Sequence, residues 1–167
     1  MRVLTYAEEL GEALSTADEF DVKTTVGKAD LREFTAGALS WSPLWMRALF
    51  AVRYVFAKAL RLDTANVPIT ARPTPTGMDF TPGSKIGFFT VTRAEEDRYL
   101  LLEVVDNHLT GYLAMTAEPV ADGNKLSLIT MVKFHRKAGK GYYQVIKPFH
   151  HLIVTGMLHA GARATKP

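Results

Sequence analysis

No cysteine occurs among the 167 residues. Disulfides, thiol nucleophiles and cysteine metal sites are therefore excluded, and the absence fits a cytoplasmic setting. Long apolar runs are missing too: none reaches the ~18 residues of a membrane-spanning helix. The opening Met1-Arg2-Val3-Leu4-Thr5-Tyr6-Ala7-Glu8-Glu9 meets acids too early for a signal peptide. Acidic residues are themselves lacking at one end. After Asp122 there is none, while the last 45 residues carry eight cations. The net charge of +3 thus combines an acidic first part with a basic tail, which points to an anionic partner or to an internal electrostatic match.

Two catalytic signatures are also absent. There is no Gly-x-Ser-x-Gly, and the serines stand at caps or ordinary strand positions. Gly139-Lys140-Gly141 is a bare G-x-G without the third glycine or the parallel βαβ setting of a dinucleotide site. No internal repeat is visible. What remains, 47% hydrophobic and 22% charged, is the composition of a folded chain. Its length favours one domain, residues 1–167, with roughly 70% of the unfolded surface removed from water.

Periodicity gives the element order. Thr5 with Glu8 reads as a capping box for a helix over about 5–15. Phe20, Val22, Thr24 and Val26 alternate with polar residues, as in a half-buried strand. Asp30 with Glu33 starts a second helix, and Ser42-Pro43 opens a third that runs to about Leu62. Residues 63–83 hold four of the eight prolines and read as a long loop: a functional lid, a poorly ordered stretch or, less in keeping with halves that need one another to cover a core, a domain linker. Four strands follow, over 85–92, 98–106, 109–118 and 125–136, with short connections that imply antiparallel neighbours. In the last strand Leu126, Leu128, Thr130, Val132 and Phe134 form the better core face. A helix after Gly141 runs to about 160, its apolar stripe including Val145, Phe149, Leu152 and Met157. Pro148 is expected to kink it. The fold class is α+β: a curved antiparallel sheet, a long C-terminal helix packed across it, and two helices inserted after the first strand, the helix-grip arrangement.

Several side chains carry candidate chemistry. On the third helix Trp45, Leu49, Val52, Phe56 and Leu60 cluster within about 80°. Arg53 borders that face, so it snorkels outward, pairs with a carboxylate, or clamps an anionic ligand group in a pocket. Asp106-x-His108 in a tight turn is either an imidazole oriented for acid–base work or an Asp capping its own backbone. His150 flanks the apolar stripe of the last helix, and His151 falls on its far, solvated side with Gln144 and Lys147. Adjacent histidines lack the i, i+4 spacing of a shared metal, and no cofactor is implied. The run Phe134-His135-Arg136-Lys137-Ala138-Gly139-Lys140-Gly141-Tyr142-Tyr143 mixes cations and aromatics. It is either a small nucleic-acid footprint or, as favoured here, a basic turn facing the acidic N-terminal segment.

That run, its continuation Ile146-Lys147-Pro148-Phe149-His150-His151, and the stretches Ser42-Pro43-Leu44-Trp45, Pro82-Gly83-Ser84-Lys85-Ile86-Gly87-Phe88 and Asp106-Asn107-His108-Leu109 together resemble the domain-of-unknown-function family 2867. The resemblance implies a START-like (SRPBCC) fold. Such domains occur alone or behind short-chain-dehydrogenase-like NAD(P)-binding domains, and the resemblance brings no catalytic residues with it.

The expectation is a binder of a hydrophobic or amphipathic small molecule, held in a cavity between sheet and C-terminal helix, with no nucleic acid and no membrane as partner. Phe88, Leu102, Leu113, Phe149 and Met157 are expected to line the cavity, with Trp45, Arg53, Asp106, His108 and His150 supplying polar or aromatic groups. The rival readings are an enzyme of cyclase, dehydratase or hydrolase type using His108 or His150 as base, and a homodimeric interaction module or accessory to an NAD(P)-binding oxidoreductase.

Overall fold

The computed structural model describes residues 7–59 and 72–164. The chain runs α1 (Ala7–Ser15), β1 (Glu19–Gly27), α2 (Leu31–Ser40), α3 (Leu44–Ala59), β2 (Lys85–Ile86), β3 (Phe89–Glu95), β4 (Tyr99–Val105), β5 (Leu109–Val120), β6 (Gly123–Phe134) and α4 (Lys137–Ala162). The six strands form one antiparallel sheet in the order β1-β6-β5-β4-β3-β2. The first strand thus pairs with the last, and the long C-terminal helix packs on both. This is the expected α+β architecture, with α2 and α3 inserted after β1.

Local chemistry explains most boundaries. At the start of α2, Asp30 Oδ1 accepts the Glu33 N–H at 2.8 Å, and Glu33 Oε2 accepts the Asp30 N–H at 3.0 Å. The reciprocal pair satisfies two donors that the helix cannot. The strand expected over 85–92 is instead two strands, because the chain reverses at Gly87-Phe88, where Gly87 has φ +63°. The helix α4 starts earlier than expected, with Gly139 and Gly141 inside its first turns. Thr5, the proposed cap of α1, lies outside the described residues, as do residues 63–71 of the long loop.

The rest of that loop is held in place. Met78 and Phe80 are buried in the core. Arg32 of α2 donates to the carbonyls of Pro75 and Met78 at 3.0 and 2.9 Å, stands over the Phe80 ring at 4.3 Å, and pairs with Glu96. One guanidinium therefore ties residues 75–80 to α2 and to the β3–β4 turn.

Both faces of the sheet are covered. On the inner face Leu100, Leu102, Leu113, Met115, Leu126 and Leu128 pack against α2 and α4, including Phe34, Val154 and Leu158. On the outer face Leu101, Ala114, Ile129 and Met131 meet Leu10 and Ala13 of α1. The face of β6 judged the better core face is the inner one, and the other is apolar enough to need α1.

Two expected burials are corrected. On α4, Val145, Phe149 and Leu152 are exposed, and Tyr142, Tyr143, Val154 and Leu158 are the buried residues. The helix is turned because it must cover the polar edge strand β1 as well as the aliphatic centre of the sheet. On α3, Trp45 and Val52 are exposed rather than packed. Leu60 and the side chains of Arg53 and Phe56 lie outside what the structure describes.

Candidate functional site

The register of the strands draws one row straight across the inner face. Asp21 of β1 pairs with Thr130 of β6, Thr130 with Leu113 of β5, Leu113 with Leu102 of β4, and Leu102 with Val91 of β3. Directly opposed residues of antiparallel strands present their side chains to the same face. The row therefore passes from a carboxylate through a hydroxyl to three aliphatic side chains. Thr130 is only 6% exposed, and its Oγ1 finds no hydrogen-bond partner in the protein. Among aliphatic neighbours such a group costs about 1–3 kcal/mol unless something satisfies it.

The helix α4 places a second group of this kind above the sheet. The Nδ1 of His150 is buried and also unpartnered. Its ring stands 5.9 Å from that of buried Tyr143, whose ring lies tilted against Phe134 at 5.5 Å. Burial, reinforced by the neighbouring His151, pushes the His150 pKa from 6.5 down to about 4. The imidazole is therefore neutral near pH 7, with one nitrogen to donate and one to accept. Burial also pushes the Tyr143 hydroxyl up, with Glu19 and Asp21 adding to it.

A charged seam closes the β1 side. Lys147 Nζ donates to Glu19 Oε2 at 2.7 Å, and Gln144 reaches the other oxygen at 3.3 Å. Asp21 Oδ2 meets His151 Nδ1 at 3.1 Å and Lys23 Nζ at 3.2 Å. Burial works against the Asp21 carboxylate, but the hydrogen bond and charge of Lys23, with His151, hold its pKa below the usual value. The hydrogen bond from Lys147 does the same for Glu19. His151, expected on the solvated side, instead faces β1. Part of the basic tail is thus matched internally by acids of the first strand.

Asp106 and His108 lie together, under the N-terminal turn of α4. His108 is 1% exposed, with Nδ1 3.4 Å from Asp106 Oδ2 and its ring edge-on to Tyr142 at 5.5 Å. Asp106 Oδ1 also accepts the Asn107 N–H at 2.7 Å, so this carboxylate both caps its turn and faces the imidazole. Gly139 fits over the turn because a Cβ there would stand 2.6 Å from the His108 carbonyl oxygen. That oxygen accepts the His135 N–H at 2.9 Å. The pair is a clamp between the β4–β5 turn and α4.

The other expected site residues are scattered. Met157 of α4 packs against the inner core. Phe88 stands in the β2–β3 turn, its ring 4.2 Å from that of Phe89. Trp45 sits on α3, edge-on to Trp41 at 5.9 Å. Phe149 is turned outward and 46% exposed. A separate open recess of about 310 Å³ is lined by Arg72, Pro73, Gly77, Met78, Lys85, Ile86 and Gly87. Among the described residues no group of three or more His, Asp and Glu gathers as a metal site would require. Sequence reasoning passed over Thr130, Tyr143 and Asp21. The one available signal was Thr130 itself, a hydroxyl in a row of aliphatic core positions.

Among curated proteins none matches the sequence. The fold is distantly similar to three solved structures. The Polyketide_cyc-like protein Cgl2372 from Corynebacterium glutamicum has a TM-score of 0.43 at 15% identity, over 86% of this chain and 89% of that one. Protein MLL2253 from Mesorhizobium loti has a TM-score of 0.41 at 11% identity, over 89% and 100%. Ara h 8.0201 has a TM-score of 0.41 at 9% identity, over 86% and 97%. Likenesses so distant say nothing of this chain's ligand. A family model described as a protein of unknown function, DUF2867, matches residues 12–157, the whole sheet and most of α4 among them, and the chain belongs to that family.

Proposed function

We propose that the domain binds a small amphipathic molecule between the inner face of the sheet and α4. The polar end lies against Thr130 and His150, and the apolar part runs toward Leu113 and Leu102. The observation that carries this reading is a pair of buried, unpartnered polar atoms, Thr130 Oγ1 and His150 Nδ1, on the two elements that face each other. Buried polar groups without partners are rare, and each calls for an explanation. A ligand hydroxyl or carbonyl supplies one. The neutral imidazole and the neighbouring Asp21 carboxylate favour an uncharged head group over an anionic one. Apolar sites with a few placed polar groups are the usual form of a small-molecule pocket. The reading makes the protein a binder and requires no reaction.

Thermal-shift and native mass-spectrometric titration with 1-dodecanol, 2-dodecanone, dodecanoate and dodecane test it. The alcohol and ketone are expected to bind more tightly than the alkane and the carboxylate. Thr130→Val and His150→Leu are expected to erase that preference. If none of the four ligands raises the melting temperature or appears in the native mass spectrum, the reading falls.

A further inference from the structure

The helix α3 carries an apolar face that no described element covers. At about 100° per residue, Leu44, Trp45, Ala48, Val52 and Val55 fall within roughly 100° of one another. All five are exposed, Leu44 at 81%, Val55 at 65% and Val52 at 54%. Among the described residues α3 has no part in the main element packings. Its visible anchors are buried Met46 and the edge contact of Trp45 with Trp41, which itself lies over Gly156 of α4. On α4, Phe149 and Leu152 precede Gly156 at helical spacing and are also exposed. Contiguous exposed apolar stripes mark interaction sites.

Charge identifies the occupant. From Phe34 through Leu62 the sequence contains no acidic residue, while Arg47, Arg53 and Lys58 belong to α3. Lys58 and Tyr54 are exposed. A helix sequence with cations, aromatics and no acids, joined to an open aliphatic face, has the composition of one that lies in the head-group region of an anionic bilayer. At 16 residues α3 is about 24 Å long, short of the ~30 Å hydrocarbon layer. It therefore lies in the surface plane and does not cross. Among the described residues no helix is long and apolar enough to span. We propose that α3 docks the protein on anionic lipid surfaces, with Leu44, Val52 and Val55 inserted and Trp45 at the head-group level. This inference stands apart from the ligand reading, since it uses none of the residues of that site.

Vesicle flotation of the full chain tests it, with phosphatidylcholine alone and with phosphatidylcholine plus phosphatidylglycerol. The protein is expected to float with the anionic vesicles and to stay behind with the neutral ones. Lipids brominated in the chain are expected to quench tryptophan fluorescence. Val52→Glu with Val55→Glu is expected to lower the partition by on the order of a hundredfold, as the loss of two inserted valines implies. Because both side chains are exposed, the variant's circular dichroism and melting temperature are expected to match the parent, which separates lost docking from lost folding. A lipid-independent dimer in sedimentation that the same variant dissociates, without flotation, would overturn the proposal in favour of a second copy on this face. A monomer that does not float would overturn it outright.

Discussion

Thr130 shows how one atom can set stability against binding. Its hydroxyl is buried on the inner face without a partner, so it weakens the unliganded fold. Thr130→Val keeps the shape and removes the polar atom. It is expected to stabilise the protein by about 1–2 kcal/mol in urea unfolding and to weaken the binding of alcohols and ketones. A loss of stability on this substitution would show that the hydroxyl is satisfied in solution. His150 gives a pH signature. Its folded-state pKa of about 4 lies below the ordinary 6.5, so the native state binds fewer protons than the unfolded chain. Stability is expected to be full above about pH 6.5 and to decline by up to about 1.4 kcal/mol per pH unit as pH falls toward 4. The decline levels off below that. Asp21, whose pKa is lowered from 3.8, acts only in a more acidic window. Unfolding of the parent and of His150→Leu at pH 7, 5.5 and 4.5 checks this, and the variant is expected to lose most of the slope between those values. Equal slopes would mean that His150 is hydrated or charged in the native state.

At the scale of elements, α4 does three jobs along its length. Its first turn clamps the β4–β5 turn, its middle carries His150 over the sheet, and its last turns meet α2 at Phe34 and Gly161. The clamp depends on close backbone approach. Gly139→Ala places a methyl 2.6 Å from the His108 carbonyl oxygen, and backbone on both sides leaves little room to give. A loss of about 1–3 kcal/mol is expected. Faster amide exchange at His135, whose N–H is bonded to that same carbonyl, is expected to accompany it. The opposite face of the same helix is apolar and exposed, so its pattern alone misleads. The helical period shows that α4 has an apolar side, but Tyr142, Tyr143 and His150 take the sheet-facing positions.

For the whole molecule, the sheet separates two apolar layers that serve different ends. The inner layer, with α2 and α4, holds the proposed ligand site, and among the described residues the outer layer is closed by α1. Leu10, 2% exposed, is the main apolar contribution of α1. Leu10→Ala is expected to cost about 2–4 kcal/mol while leaving ligand preference unchanged, because the two layers lie on opposite faces. A change in preference together with the stability loss would mean that the layers are coupled through the sheet.

The sequence by itself determined the order of the elements, apart from the reversal at Gly87-Phe88 that divides the strand expected over 85–92. Capping at Asp30–Glu33, alternation in β1 and β6, and short connections between β3 and β6 are local signals, set by hydrogen-bond satisfaction and periodic burial within a few residues. The α+β class followed from that order. The Asp106–His108 turn was also legible as a unit, since its members are two residues apart. Other features were decided only by the tertiary structure. The row from Asp21 through Thr130 to Leu102 joins residues remote in sequence, and strand pairing alone aligns it. The pairing of His151 and Lys147 with acids of β1 depends on α4 crossing the edge strand, which no local pattern encodes. Arg32 became the tie of the 75–80 segment because carbonyls from a distant loop converge on its guanidinium. On α3, Trp45 and Val52 read as core in the helical period, yet the described residues leave both exposed. Periodicity records that a face avoids water, and only the packed structure shows whether the chain itself covers it.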